Sequence, residues 1–203
     1  MKPLLKSIAR WLALVLVSPL LAWHWLWVPL LGRDKSLEYS FQVVSLIPGL
    51  LGNYLRTAFL RGTIRQCHPT VTVCLGTLFS KADTILEENV YIGPYSVLGL
   101  VTIEKDALIA SGVQITSGAS IHGHADLQVP MREQPGTIER VTIGSNVWVG
   151  SGAIVMASIA ADSIVGAGSV VNTPIPSKVI AVGVPARVVK ERQGKTVLEE
   201  PRG

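Results

Sequence analysis

At 203 residues the chain is long enough for one sizeable domain with an appendage and too short for two ordinary domains. Charged residues make up 16% and apolar residues 48%, and mean hydropathy is +0.42, between the values of a soluble enzyme and an integral membrane protein. A net charge of only +4 with no nucleic-acid-binding motif argues against a nucleic-acid partner. The basic clusters at Lys2, Lys6 and Arg10, at Arg33 and Lys35, and at Arg56, Arg61 and Arg65 suit an anionic membrane surface instead.

Residues 8–31 are apolar except for Arg10, Ser18 and His24, long enough as a helix to match a bilayer core. A signal peptide is the first alternative, but the run is too long, and tryptophans and Pro29 occupy the place of a cleavage site. Residues 1–35 are therefore read as a membrane-associated segment. Basic residues on both sides and Pro19 near the middle predict a re-entrant path, with arms at 8–18 and 20–31 and both ends on one face. Trp23, Trp25 and Trp27 then fall near the interface, and a straight span is the competing reading.

Residues 36–69 read as an amphipathic helical linker. Pro48-Gly49 interrupts it, and the helix that follows places Leu51, Leu55 and Leu60 on one side and Arg56 and Arg61 off it. Such a helix either lies at a membrane interface or packs on the base of the domain. Cys67 and Cys74 read as two reduced, packed thiols, and together with His68 they offer too few ligands for a metal.

Over 70–192 apolar residues recur every six positions: Leu86, Ile92 and Leu98; Ile103, Ile109, Ile115 and Ile121; Ile143, Val149 and Val155; Val165 and Val171. Small or β-branched partners stand two places before most of them, among them Val90, Ala107, Val113, Ala119, Val147, Ala153 and Ser169. Strand alternation puts both members of a pair on the same side. A period of six predicts short strands and tight turns stacked as a solenoid, not a sandwich, whose strands recur every 8–12 residues. The period fails across 122–140, which predicts an extruded loop, and it is two residues short between Val155 and Val165. The repeats are expected to end after Pro174, with a short capping helix over Val184–Arg192 and a flexible tail over 193–203.

The stretches SGASIHGHADLQVPMREQPG (117–136), VTIGSNVWVGSGAIVM (141–156), IVGAGSVV (164–171) and AVGVPARVV (181–189) resemble the hexapeptide-repeat acyltransferases. Within them they resemble the galactoside and maltose acetyltransferase branch, and more closely the acetyltransferases of exopolysaccharide and colanic-acid clusters. The resemblance implies a mainly β fold, a left-handed parallel β-helix, assembled as a homotrimer with acetyl-CoA in a groove between adjacent prisms. By position, His122 matches the family's catalytic histidine, and Asp126 is a candidate to orient it. Trp148 matches a tryptophan lining the CoA groove. Gly150, Ser151, Gly152, Gly166, Ala167 and Gly168 match coil turns that hold the pantetheine, and Arg187 matches a basic position near the nucleotide phosphates. His124 has no counterpart of its own.

Acetyl transfer to a hydroxyl needs a base that works near neutral pH, which histidine supplies, and donors for the tetrahedral oxyanion. The expected reaction is direct O-acetylation by acetyl-CoA, without a metal, of a sugar in an exopolysaccharide or its lipid-linked precursor. The acetyl donor is cytoplasmic, so the resemblance implies a bacterial inner-membrane protein with its catalytic domain on the cytoplasmic face. N-acetylation of a nucleotide-linked amino sugar, O-acetylation of serine and a non-catalytic scaffold are the alternatives. A zinc site like that of the γ-type carbonic anhydrases needs three histidines, and only His122 and His124 of the four histidines fall in the repeats.

Overall fold

A computed structural model describes the chain over residues 3–193. Three helices come first: α1 (Pro3–Leu31), α2 (Arg33–Ser45) and α3 (Gly49–Thr63). The break expected at Pro19 does not occur, and α1 runs through it. Proline removes the N–H that would bond the Val15 carbonyl, and the Ser18 hydroxyl takes its place at 2.8 Å. Packing on both sides of the proline holds the two halves in line. Ala13, Val17 and His24 are buried on one stripe against α2 and α3, and Nδ1 of His24 lies 2.8 Å from the Ser40 hydroxyl. The opposite face stays apolar and open, with Trp11, Leu16, Leu26 and Leu30 all more than 60% exposed.

α2 and α3 lie between α1 and the base of the β domain, so α3 packs on the domain as one of its two expected placements. Leu55 and Leu60 are buried there, but Leu51 is exposed. Arg56, grouped above with surface cations, is fully buried. Its guanidinium donates to the carbonyls of Val73 at 2.8 Å, Val44 at 3.1 Å, Ser45 at 3.2 Å and Ile47 at 2.7 Å, and to Oδ1 of Asn53 at 2.6 Å. It thus adds a donor at the C-terminal end of α2, where Val44 also accepts from the Ile47 N–H and Ser45 from the Gly76 N–H.

The remainder is a three-sided parallel β-helix. Its first face is β1 (Gln66–Cys67), β4 (Ile85–Leu86), β7 (Val101–Ile103) and β10 (Val141–Ile143). The second holds β2 (Thr72–Val73), β5 (Tyr91–Ile92), β8 (Leu108–Ile109), β11 (Trp148–Val149), β13 (Ile164–Val165), β15 (Val179–Val182) and β16 (Arg187–Glu191). The third is β3 (Leu78–Phe79), β6 (Val97–Leu98), β9 (Gln114–Ile115), β12 (Ile154–Val155) and β14 (Val170–Val171). Every repeat aliphatic named above is at most 2% exposed except Ile121, and fully burying one contributes about 1.5–3 kcal/mol. Ile121 and its partner Ala119 stand outside, because the chain leaves the prism at Gly118, where φ is +90°.

Three boundaries differ from expectation. β1 already belongs to the prism, inside the span read as linker. The two-residue deletion falls at the corner between Val155 and Ile159, Ile159 continues the first face by bridging Ile143 and Ile175, and the coils run past Pro174 to β15. The expected helix over Val184–Arg192 is instead β16, antiparallel to β15. The last strand of a solenoid exposes unpaired backbone groups, and a chain reversing at Gly183 and carrying β-branched Val188 and Val189 covers them. Of the expected tail, residues 194–203 lie outside the described residues.

Candidate active site

The extruded loop is closed at its neck. The Glu139 N–H donates to the Ser117 carbonyl at 2.8 Å and the Thr137 N–H to the Ser120 carbonyl at 2.7 Å. Gly136 approaches the Ile121–His122 peptide so closely that a Cβ there would sit 2.6 Å from the His122 nitrogen. Arg140 pins the returning strand, donating to the Asp83 carbonyl at 2.8 Å and pairing with the Asp83 carboxylate. His122 therefore sits on the rigid neck, not at the loop's tip.

The His122 side chain opens onto a cavity of about 800 Å³. Ser117, Ile121 and Ile138 form one wall, and the junction of α1 and α2, from Leu31 to Lys35, forms another. Asp34 ties that junction to the prism, accepting from Nζ of Lys81 and from the Ala82 N–H, each at 2.9 Å. His124 is exposed and does not line the cavity. The Asp126 carboxylate accepts from the Gln128 N–H at 2.8 Å and shapes the loop from within; it is not bonded to His122.

The remaining expected site residues share a different edge. Trp148 points outward from β11, half exposed, in a ladder with Tyr91, Leu108 and Ile164. The corner between the second and third faces carries Gly150, Ser151 and Gly152 on one coil and Gly166, Ala167 and Gly168 on the next. The N–H groups of Gly150, Gly152, Gly166 and Gly168 all donate to neighbouring coils at 2.8–2.9 Å. Among the described residues the exposed apices Ser151 and Ala167 keep the uncommitted amides, so those two peptides, not the glycines, can donate to a ligand. Gly152 and Gly168, at φ +68° and +67°, hold the left-handed turns that present them. Arg187 opens β16 at the end of the second face, exposed, with Nη1 on the Ala186 carbonyl at 3.0 Å.

Within one chain His122 and the Trp148 edge therefore occupy different corners, since the loop joins the third face to the first. Neither thiol joins them: burial pushes Cys67 up to about 12. Among the described residues no group of three or more His, Cys, Asp or Glu is placed to hold a metal. Sequence reasoning missed Asp34 and Lys81, which no periodicity marks. Arg140, the last residue before the repeat resumes, was the one anchor open to reading.

No family model matches the chain. It is 38% identical over 94 residues to the galactoside O-acetyltransferase of Escherichia coli (strain K12), covering 45% of this chain and 44% of that protein. The chain thus spans less than half the length of that relative. It is 31% identical over 136 residues to WbbJ of the same strain, provisionally named a lipopolysaccharide biosynthesis O-acetyl transferase, covering 60% of this chain and 67% of WbbJ. A galactoside acetyltransferase solved in complex with coenzyme A superposes with a TM-score of 0.62 at 26% identity, over 79% of this chain and 80% of the other.

Proposed function

The chain belongs to the hexapeptide-repeat acetyltransferase family, and from that premise we propose that it moves an acetyl group from acetyl-CoA to a sugar hydroxyl. The acceptor is a glycan, an exopolysaccharide or its lipid-linked precursor. The observation that carries this reading is His122, held on a rigid neck and facing an open cavity whose far wall is the end of an apolar helix. His122 takes the hydroxyl proton as the alcohol oxygen attacks the thioester carbonyl. The tetrahedral oxyanion is met by backbone N–H groups, and its collapse releases CoA thiolate, which recovers the proton from His122. Asp126 acts by shaping the loop.

The donor lies along the edge of Trp148, Ser151 and Ala167, with Arg187 toward the nucleotide phosphates. Because that edge and His122 occupy different corners, the complete site takes the edge of one chain and the loop of the next, in a cyclic trimer. Apolar outward side chains support such packing: Tyr91, Leu108 and Trp148 on the second face and Val97 and Ile154, flanking Gln114, on the third are all exposed, whereas Ile85 is the one apolar member beside Gln66, Thr102 and Thr142 on the first. α1 lies in the cytoplasmic membrane interface. One face packs on α2 and α3, which keeps the helix from being surrounded by lipid, and the other is an apolar surface.

The test is to incubate the detergent-extracted protein with radiolabelled acetyl-CoA and bacterial membranes. Label released from glycan by mild alkali is expected, as for an ester. Alkali-stable label would mean an amide and an amino-sugar acceptor, and the absence of transfer would remove the reading. Mass spectrometry of surface polysaccharide from cells with and without the active gene identifies the acceptor.

A further inference from the structure

The stripe of α1 that faces α3 changes character along its length. Toward the C-terminal end Ala13 and Val17 are buried, and Leu21 packs so closely on Gly62 that a Cβ there would lie 2.8 Å from Cδ2 of Leu21. One and two turns nearer the N-terminus the same stripe carries Arg10 and Lys6. Arg61 of α3 joins them in lining a groove of about 420 Å³, together with Tyr54 and Leu50. No carboxylate lines this groove, and among the described residues none of the three cations forms an ion pair. Three like charges converging on one groove repel, and an anion between them relieves the repulsion.

We propose that this groove holds the phosphate headgroup of an anionic membrane phospholipid. Two guanidinium groups offer the paired donors that suit phosphate oxygens, and an ammonium adds a third charge. A lipid suits the site better than a free anion because the groove opens beside an apolar surface. Leu50 on its rim is 62% exposed, and Trp11, next to Arg10, is 65% exposed. The groove is also remote from the His122 cavity: Arg10 and Leu31 are separated by most of α1, roughly 30 Å at helical rise. The inference rests on the membrane attachment proposed above and is independent of the chemistry at His122.

Flotation of the full chain with vesicles tests it. Wild type is expected to bind vesicles of phosphatidylcholine, and to bind those containing phosphatidylglycerol more tightly by on the order of 10²-fold at low salt, from three basic side chains. The triple variant Lys6→Gln, Arg10→Gln, Arg61→Gln should keep the neutral-vesicle binding and lose most of the anionic preference. Arg61→Lys, a milder change, should keep most of it. A control removing Lys105 and Lys190 from the prism and Arg132 from its extruded loop takes away the same charge and should leave the preference in place. Retention of the preference by the groove variant, or an equal loss in the control, overturns the proposal. So does a preference abolished by millimolar inorganic diphosphate, which would identify a soluble anion as the ligand. Failure of wild type to bind neutral vesicles at all would remove the membrane attachment and this site with it.

Discussion

His122 and His124 are two residues apart and both exposed, but they differ in what holds them and what they line. His122 stands on a neck closed by two backbone hydrogen bonds and faces the cavity; His124 lies beyond the neck and faces solvent. A base must be held in reach of the proton it removes, so the proposed mechanism assigns that role to the first. His122→Ala should lower kcat by roughly 10²–10⁴-fold while leaving the affinity for CoA within a few-fold, and His124→Ala should change kcat only a few-fold. Steady-state kinetics with a sugar acceptor, alongside calorimetry with CoA, checks both. Wild-type turnover in His122→Ala would remove this histidine from the mechanism. His122 was singled out in the sequence by resemblance to the family's histidine beside the break in the repeat, and its side of the loop lines the cavity. Its partners were not legible, since Asp126 bonds within its own loop and the cavity wall comes from residues about 90 positions away.

At the scale of the element, the join between helices and prism depends on one buried cation. Arg56 fastens the end of α2, the turn before α3 and the first coil by donating to four carbonyls from three segments. Burial pulls its guanidinium below its ordinary value, and although Val44 and Ser45 also accept from backbone N–H groups, losing Arg56 would take a donor from all four carbonyls at once. Arg56→Met should therefore destabilise the protein by about 3 kcal/mol or more, read as a lowered thermal midpoint in detergent. Arg56→Lys should recover little, because an ammonium cannot reproduce a planar fork on so many acceptors. A midpoint within a degree or two of wild type would show that the cap is held by its apolar contacts alone. The helix α3 was readable from its leucines, but the burial of Arg56 was not: helical periodicity places it off the apolar side, and its acceptors converge only when the end of α2, the turn before α3 and the first coil are packed together.

For the whole molecule, the proposed mechanism makes assembly a catalytic requirement, because it draws on both His122 and the Trp148 edge, which lie at different corners of one chain. Detergent-extracted protein is expected to have a mass of three chains after correction for detergent. Ala167→Trp, which fills the edge next to an uncommitted amide, and His122→Ala should each be inactive alone. Co-expressed, they should regain about a quarter of wild-type activity by random assortment, since some interfaces then pair an intact loop with an intact edge. No recovery in mixed trimers of confirmed composition would place the whole site within one chain.

The repeat of six, the inward aliphatics and the loop at 122–140 followed from the sequence alone, because a solenoid coil is a local object whose strands and turns are set by residues a few positions apart. What needed the tertiary structure was everything that depends on a distant partner. The packing of Ala13, Val17 and His24 on α2 and α3 decided that Pro19 would not break α1. The open edge of β15 decided that 187–191 would be a strand and not a helix. The placement of the loop and the Trp148 edge at different corners was decided by how the coils stack, which no spacing along the chain records.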